Sequence, residues 1–172
     1  MKVGKYSYGN PKIYWQESGA ILEIGNFSSI ASEVSFFLGG NHRSDWITTY
    51  PFGHIHRNVF DNFDGAGHPS TKGDIIIGNS VWIAHGATVM SGVTIGDGVV
   101  IGAYSVVTKD VPPFCLVVGN PGRVVKKLFT EDQIEKLLKI KWWNWDDSKI
   151  NEEISLLCSD RIDEFINKHY VD

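Results

Sequence analysis

The chain has 172 residues, a formal charge of −4, 12% aromatic and 42% hydrophobic residues, so it is long enough for one domain with a real core and too short for a second large one. A mildly acidic chain carries no electrostatic footprint for nucleic acid or for an anionic membrane. No apolar run approaches the ~20 residues that span a bilayer, and a cytoplasmic protein with small-molecule or self partners is the expectation.

In chain order, the first regular feature is a six-residue step through Ile24, Ile30 and Phe36, with Ser28 and Val34 four places after the first two. The step then breaks. From about Gly39 to Lys72 the chain loses its phase, beginning with the stretch "LGGNHRSDW", where His42 stands among an amide, a guanidinium and a carboxylate. "KGDIIIGNSVW" restores the period, and Ile77, Ile83, Val89, Ile95, Ile101 and Val107 follow at intervals of six without a miss. Val81, Ala87, Val93, Val99, Ser105 and Val111 hold the fourth place. Helices repeat near 3.6 residues and simple strands near 2, so a strict six with two inward positions requires short strands joined by tight corners. The expected fold is an all-β solenoid with the aliphatic anchors stacked as internal ladders. The segment of about 39–72 is then a loop inserted on one face, where repeat proteins place binding chemistry.

After Pro112 and Pro113 the pattern changes. "TEDQIEKLLKI" offers Thr130 as an N-cap with Gln133 three places on, and Ile134, Leu137 and Leu138 at helical spacing. Two later segments suit further short helices. The expected organisation is a solenoid over 1–128 and a C-terminal helical cap over 129–172 that covers the open end of the last coil. Cys115 and Cys158 lie far apart without CxxC spacing and read as core residues, with no structural metal site or disulfide framework.

The hexapeptide series, the "GGNHRSD" loop with "YPF" close behind it, "KGDIIIGNSVWIAHGA", "VVGNPGR" and the late "IKWWNW" together resemble the hexapeptide-repeat acyltransferases, and within them the xenobiotic acetyltransferase branch of streptogramin and chloramphenicol acetyltransferases. The resemblance covers roughly residues 20–145. It implies a left-handed parallel β-helix with an inserted active-site loop and a small C-terminal helical segment, a homotrimer, and acetyl-CoA as co-substrate in grooves between neighbouring subunits. It also implies that His42 is the general base. Imidazole titrates in the range that proton removal from an attacking hydroxyl needs, and no acyl-enzyme is required when two bound reactants are set side by side.

Coenzyme A needs an apolar groove, exposed backbone amides and positive charge. Gly102, Ala103 and Ser105, with Ala84 one coil earlier, are small enough for its amide arm to lie close. Asn120 and Pro121 resemble the family's turn beside the cofactor, and Arg123, Lys126 and Lys127 form a basic cluster for its phosphates. Trp82 takes an outward place suited to cofactor or subunit contact. In the loop, Asn41, Trp46, Tyr50, Phe52 and His54 are candidate contacts for the acceptor, although the aromatic rings also suit packing of the loop onto the coils. The run "GHIHRNVFDNFDGAGHPST" resembles sugar-modifying members more than drug-modifying ones, so a sugar or sugar-like hydroxyl is the expected acceptor, with an amino sugar or an antibiotic as alternatives.

Five of the six histidines fall between residues 42 and 85, which raises a zinc-dependent, gamma-carbonic-anhydrase-like reading. That family's paired ligands five residues apart are missing, because Met90 stands five places after His85. No metal is therefore expected. A non-catalytic binding solenoid would have lost the base or the basic cluster, and both are present.

Overall fold

The protein is described by a computed structural model over residues 1–171. The strands run in the order β1 (Lys2–Val3), β2 (Lys12–Tyr14), β3 (Leu22–Ile24), β4 (Ser29–Ile30), β5 (Ser35–Phe37), β6 (Ile75–Ile77), β7 (Trp82–Ile83) and β8 (Thr88–Met90). They continue through β9 (Thr94–Ile95), β10 (Val100–Ile101), β11 (Val106–Val107), β12 (Cys115–Val118) and β13 (Arg123–Lys127). Three sheets result, ordered β1-β3-β6-β9, β13-β12-β10-β7-β4 and β11-β8-β5-β2. From β3 to β11 successive strands visit the three sheets in rotation, and every pairing is parallel except β12 with β13.

The register carries the period. Trp82 lies beside Val100 and Thr88 beside Val106, a separation of 18 residues, which is three hexapeptides per turn. Across the insertion Leu22 lies beside Ile75, Ser29 beside Trp82 and Ser35 beside Thr88, a separation of 53 and hence an excess of 35 residues. The six anchors from Ile77 to Val107 are all buried, as are Ile24, Ile30 and Phe36 and every fourth-place residue from Val81 to Val111. Burying a fully covered Ile or Val contributes about 1.5–3 kcal/mol relative to leaving it exposed, and one coil carries several. Ser28 and Ser105 lie inside with satisfied hydroxyls: Ser28 Oγ donates to Gly78 O at 3.0 Å, and Ser105 Oγ accepts from the Gly119 amide at 3.0 Å.

The corners repeat from coil to coil. Phe27, Ser80, Gly98 and Phe114 occupy equivalent turns and all have φ between 52° and 67°. Gly98 has no room for a side chain, since a Cβ there would lie 2.3 Å from the Phe114 ring.

The helices are α1 (Glu131–Ile140), α2 (Asp147–Leu157) and α3 (Ile162–His169). Thr130 and Gln133 form the expected capping box, with Gln133 N donating to Thr130 Oγ1 at 3.2 Å and Thr130 N to Gln133 Oε1 at 3.1 Å. Ile134, Leu137, Trp143, Leu156 and Phe165 bury together against Phe114, with Phe27 packed beside them. Tyr6 Oη donates to Asp147 at 2.5 Å and Asn26 Nδ2 to Trp143 O at 3.1 Å. The helices thus run along one corner from the last coil back to the first, a lateral strut where the sequence suggested an end cap. They go there because Phe27 and Phe114 project from that corner. Cys115 is core, but Cys158 is exposed at the end of α2, where the chain turns between helices, and it is not a core residue. Among the described residues no helix is long and apolar enough to cross a membrane.

Candidate active site

The inserted loop leaves the coil after β5 and is pinched shut at its base. Asn41 N donates to Ser70 O at 3.0 Å and Ser70 N to Asn41 O at 2.8 Å. Asn41 Nδ2 donates to the buried Ser91 hydroxyl at 2.9 Å, tying this neck to the coil below. Gly40, with φ of 79°, lies against the Trp15 indole, where a Cβ would fall 2.1 Å from Nε1. The side chain of Asn41 thus gives an amide hydrogen to the coil and anchors the neck of the loop.

His42 follows this anchor and is exposed. Its Nδ1 lies 2.7 Å from Thr49 O. A carbonyl can only accept, so Nδ1 carries a proton, and in the neutral tautomer the lone pair is on Nε2. The ring meets the His68 ring edge-on, with centroids 4.6 Å apart at 74°. Arg43 makes a two-pronged contact to Asp45, Nε to Oδ1 at 2.7 Å and Nη2 to Oδ2 at 2.5 Å, and its guanidinium lies 5.2 Å from the Trp46 ring centre. The Arg43 hydrogen bonds hold the Asp45 carboxyl down at about 2, so it remains a carboxylate at any working pH. Burial, and then the neighbouring His42, His54 and Arg43, push the His68 imidazole below its ordinary value.

The loop's aromatic rings divide by role. Trp46 packs on Phe63 and His68 at 5.9 and 5.8 Å, and Phe52 sits between Tyr50 and Phe60 at 4.7 and 5.1 Å. These contacts build the loop's own core, while Tyr50 and Phe60 also present exposed faces. His54 Nε2 meets the carbonyls of Gly65 and His68, which closes the loop on itself. His54 thus serves as a fastener of the loop.

Of the residues named for coenzyme A, Ala84, Gly102 and Ala103 gather at the corner between the β7/β10 face and the β8/β11 face. Asn120 and Pro121, joined by a cis peptide, lie exposed in the β12–β13 turn, one coil further on. Trp82 stands 54% exposed on the outer face of β7, and Arg123 and Lys126 are exposed on β13. Lys127 is paired with Glu131. Ser105 is the exception: it is fully buried, its hydroxyl is spent on Gly119, and it cannot touch a ligand. His85 Nδ1 lies 2.9 Å from Ser32 Oγ and its ring packs edge-on to Tyr104. Thr49, His68 and Ser91, which hold His42 and its neighbour, carry no local signal in the sequence, because each acts across at least seven positions of chain. No three His, Cys, Asp or Glu side chains among the described residues are grouped to hold a metal ion.

A repeating three-faced coil with a histidine-bearing loop defines a class, and a family model described as bacterial transferase hexapeptide (six repeats) matches residues 74–109. A probable macrolide acetyltransferase of Lysinibacillus sphaericus is 41% identical over 94% of this chain and 91% of its own length. A chloramphenicol acetyltransferase of Klebsiella aerogenes is 44% identical over 94% of this chain and 84% of its own. The chain belongs to the hexapeptide-repeat acyltransferases and is an acyltransferase. Within them it falls in the xenobiotic acetyltransferase branch. Among solved structures, a hexapeptide-repeat acetyltransferase of Vibrio cholerae complexed with acetyl coenzyme A superposes with a TM-score of 0.54 at 26% identity, over 74% of this chain and 60% of that one. The sequence set the loop nearer to sugar-modifying enzymes, whereas these curated relatives carry the names of antibiotic-modifying ones.

Proposed function

We propose that the protein transfers the acetyl group of acetyl-CoA directly to a hydroxyl of a small molecule, with His42 Nε2 as general base. The observation that carries this is the Thr49 carbonyl on Nδ1, which fixes the tautomer and leaves Nε2 bare on an exposed ring. Nε2 takes the hydroxyl proton as the oxygen attacks the thioester carbon, and the imidazolium returns it to the departing sulfur. A backbone N–H from the coil carrying Trp82 to Gly86 is the donor this reading assigns to the carbonyl oxygen as it gains charge. The small residues at the Ala84/Gly102 corner and the exposed cations Arg123 and Lys126 fit the arm and phosphates of the co-substrate.

In this reading residues 1–128 are a left-handed parallel β-helix and 129–172 its helical segment. The loop and the Ala84/Gly102 corner lie on opposite edges of the β8/β11 face of one chain, so a cytoplasmic homotrimer, with base and co-substrate groove contributed by neighbouring copies, completes the site. The acceptor is an antibiotic or a sugar-like hydroxyl compound. The names of the curated relatives make chloramphenicol and macrolides the first compounds to screen, and the exposed Tyr50 and Phe60 rings suit such ligands.

The test is thiol release from acetyl-CoA with these acceptors and a sugar panel. His42→Ala should lower turnover by about two orders of magnitude or more while calorimetry shows acetyl-CoA binding unchanged. Equal turnover in the variant removes His42 from the mechanism. Absence of acetyl-CoA binding in the native protein removes the transferase reaction itself.

A further inference from the structure

We propose that His68 is a positioning residue for the base, a neutral aromatic wall that sets the His42 ring and steadies it while it holds the proton. The inference rests on the reading of His42 given above.

His68 is only 3% exposed, and neither of its ring nitrogens has a hydrogen-bond partner. Buried polar atoms are nearly always paired, because an unpaired one forfeits its hydration, so a loop that keeps such a ring retains it for a reason other than cheap packing. Its surroundings disfavour charge. His42 faces it at 4.6 Å and His54 at 6.3 Å between ring centres, the Arg43 guanidinium belongs to the same cluster, and the Trp46 ring packs on it at 5.8 Å. Glu17 lines a cavity of about 370 Å³ that His68 also borders and forms no ion pair with the ring, while the Asp45 carboxylate is taken up by Arg43. Desolvation first, and then the electrostatic influence of His42, His54 and Arg43, act in the same direction, toward the uncharged imidazole.

A neutral ring is what a general base needs beside it. His42 is otherwise exposed and held by one hydrogen bond, about which an imidazole can swing. The edge-on His68 contact supplies the second constraint. When His42 becomes imidazolium during transfer, a neutral aromatic ring in contact with it accommodates the new charge, whereas a second imidazolium would repel it. His68 itself is fixed by the backbone: its amide donates to Gly65 O at 3.1 Å and its carbonyl receives His54 Nε2.

The experiment compares His68→Phe and His68→Leu with the native enzyme, using kcat, KM for acetyl-CoA and the pH profile of kcat/KM, with circular dichroism and thermal melting as checks on folding. His68→Phe keeps the aromatic ring and should retain kcat within about three-fold. His68→Leu keeps apolar volume without the ring. It should lose about five- to twenty-fold in kcat with KM for acetyl-CoA unchanged, and the acid limb of its profile should move to lower pH, since the imidazolium of His42 loses its aromatic neighbour. Native kcat and an unmoved profile in His68→Leu overturn the proposal and reduce His68 to packing. Equal impairment of Phe and Leu also overturns it, by assigning the effect to the ring nitrogens. Because His42→Ala is assayed in the same series, an inactive His42→Ala beside a fully active His68→Leu separates failure of this inference from failure of the base assignment.

Discussion

Replacing Asn41 with Ala tests whether the neck of the loop, rather than the loop's interior, aims the base. The variant removes the bond from Nδ2 to Ser91 Oγ, 2.9 Å long and buried at its Ser91 end, while the backbone bridge to Ser70 and the second bond on Ser91, from Lys72 N at 3.2 Å, survive. A neutral buried hydrogen bond nets about 1 kcal/mol, and the Ser91 hydroxyl is only half stranded, so the stability loss should be about 1–2 kcal/mol. For a chain of this length that lowers Tm by about 2–8 °C. The kinetic loss should be larger in proportion, because His42 is the next residue and a displacement of about 1 Å at a reacting group costs up to about 100-fold. The expected result is kcat reduced about 10- to 100-fold, with KM for acetyl-CoA and for the acceptor nearly constant. Ser91→Ala should reproduce much of this, and the double variant should fall short of the sum, since both remove one bond. The assay is steady-state thiol release with each substrate saturating in turn. An acceptor KM raised ten-fold at unchanged kcat, with additive effects of the two substitutions, would refute the anchor and return Asn41 to the acceptor site.

Two further outcomes follow from the geometry. Gly98→Ala should cost about 1–3 kcal/mol more than Gly19→Ala, read as Tm at matched protein concentration: both glycines have φ in the left-handed region, but only at Gly98 would the new Cβ meet a ring, 2.3 Å from Phe114. Equal losses would mean that the corner can yield. Glu153 is buried between α2 and α3, where Lys168 above all, at 2.7 Å, and then His169 hold its carboxyl below the ordinary range. The unfolded chain therefore binds this proton at higher pH than the folded one, so the stabilisation is complete above about 4.5 and fades as pH falls through the depressed value. Melting curves from pH 7 to 3 should show Glu153→Gln less stable than the native protein near neutrality and less sensitive to acid.

The coil was legible because its signal is periodic. Each anchor from Ile77 to Val107 repeats the same demand on the same face, and even the weaker set Ile24, Ile30 and Phe36 occupies the predicted interior. The capping box at Thr130 was legible because it is closed within four residues. Ser105 misled because a small residue in a repeat looks alike whether it faces in or out, and the Gly119 amide that decides the matter is 14 residues away. The site suffers the same limitation more severely. His42 announces itself by its neighbours in sequence, but its tautomer is set by Thr49, its ring by His68 and its aim by Ser91, none of them periodic and none adjacent. Helix placement was equally hidden: the side chains that draw the helices to one corner, Phe27 and Phe114, are 87 residues apart in the chain.

The 35-residue excess between β5 and β6 leaves the strands on either side in phase, Ser35 beside Thr88 and Leu22 beside Ile75. With Asn41 and Ser70 closing its neck, the loop is joined to the coil much as a pendant is joined to a chain. Its length and content can drift without shifting a single rung of the ladder, since closure entropy grows only slowly with loop length. On the proposed reading, in which this segment meets the acceptor, a graft cut between Asn41 and Ser70 would change the acceptor while the ladder it hangs from stays as it is.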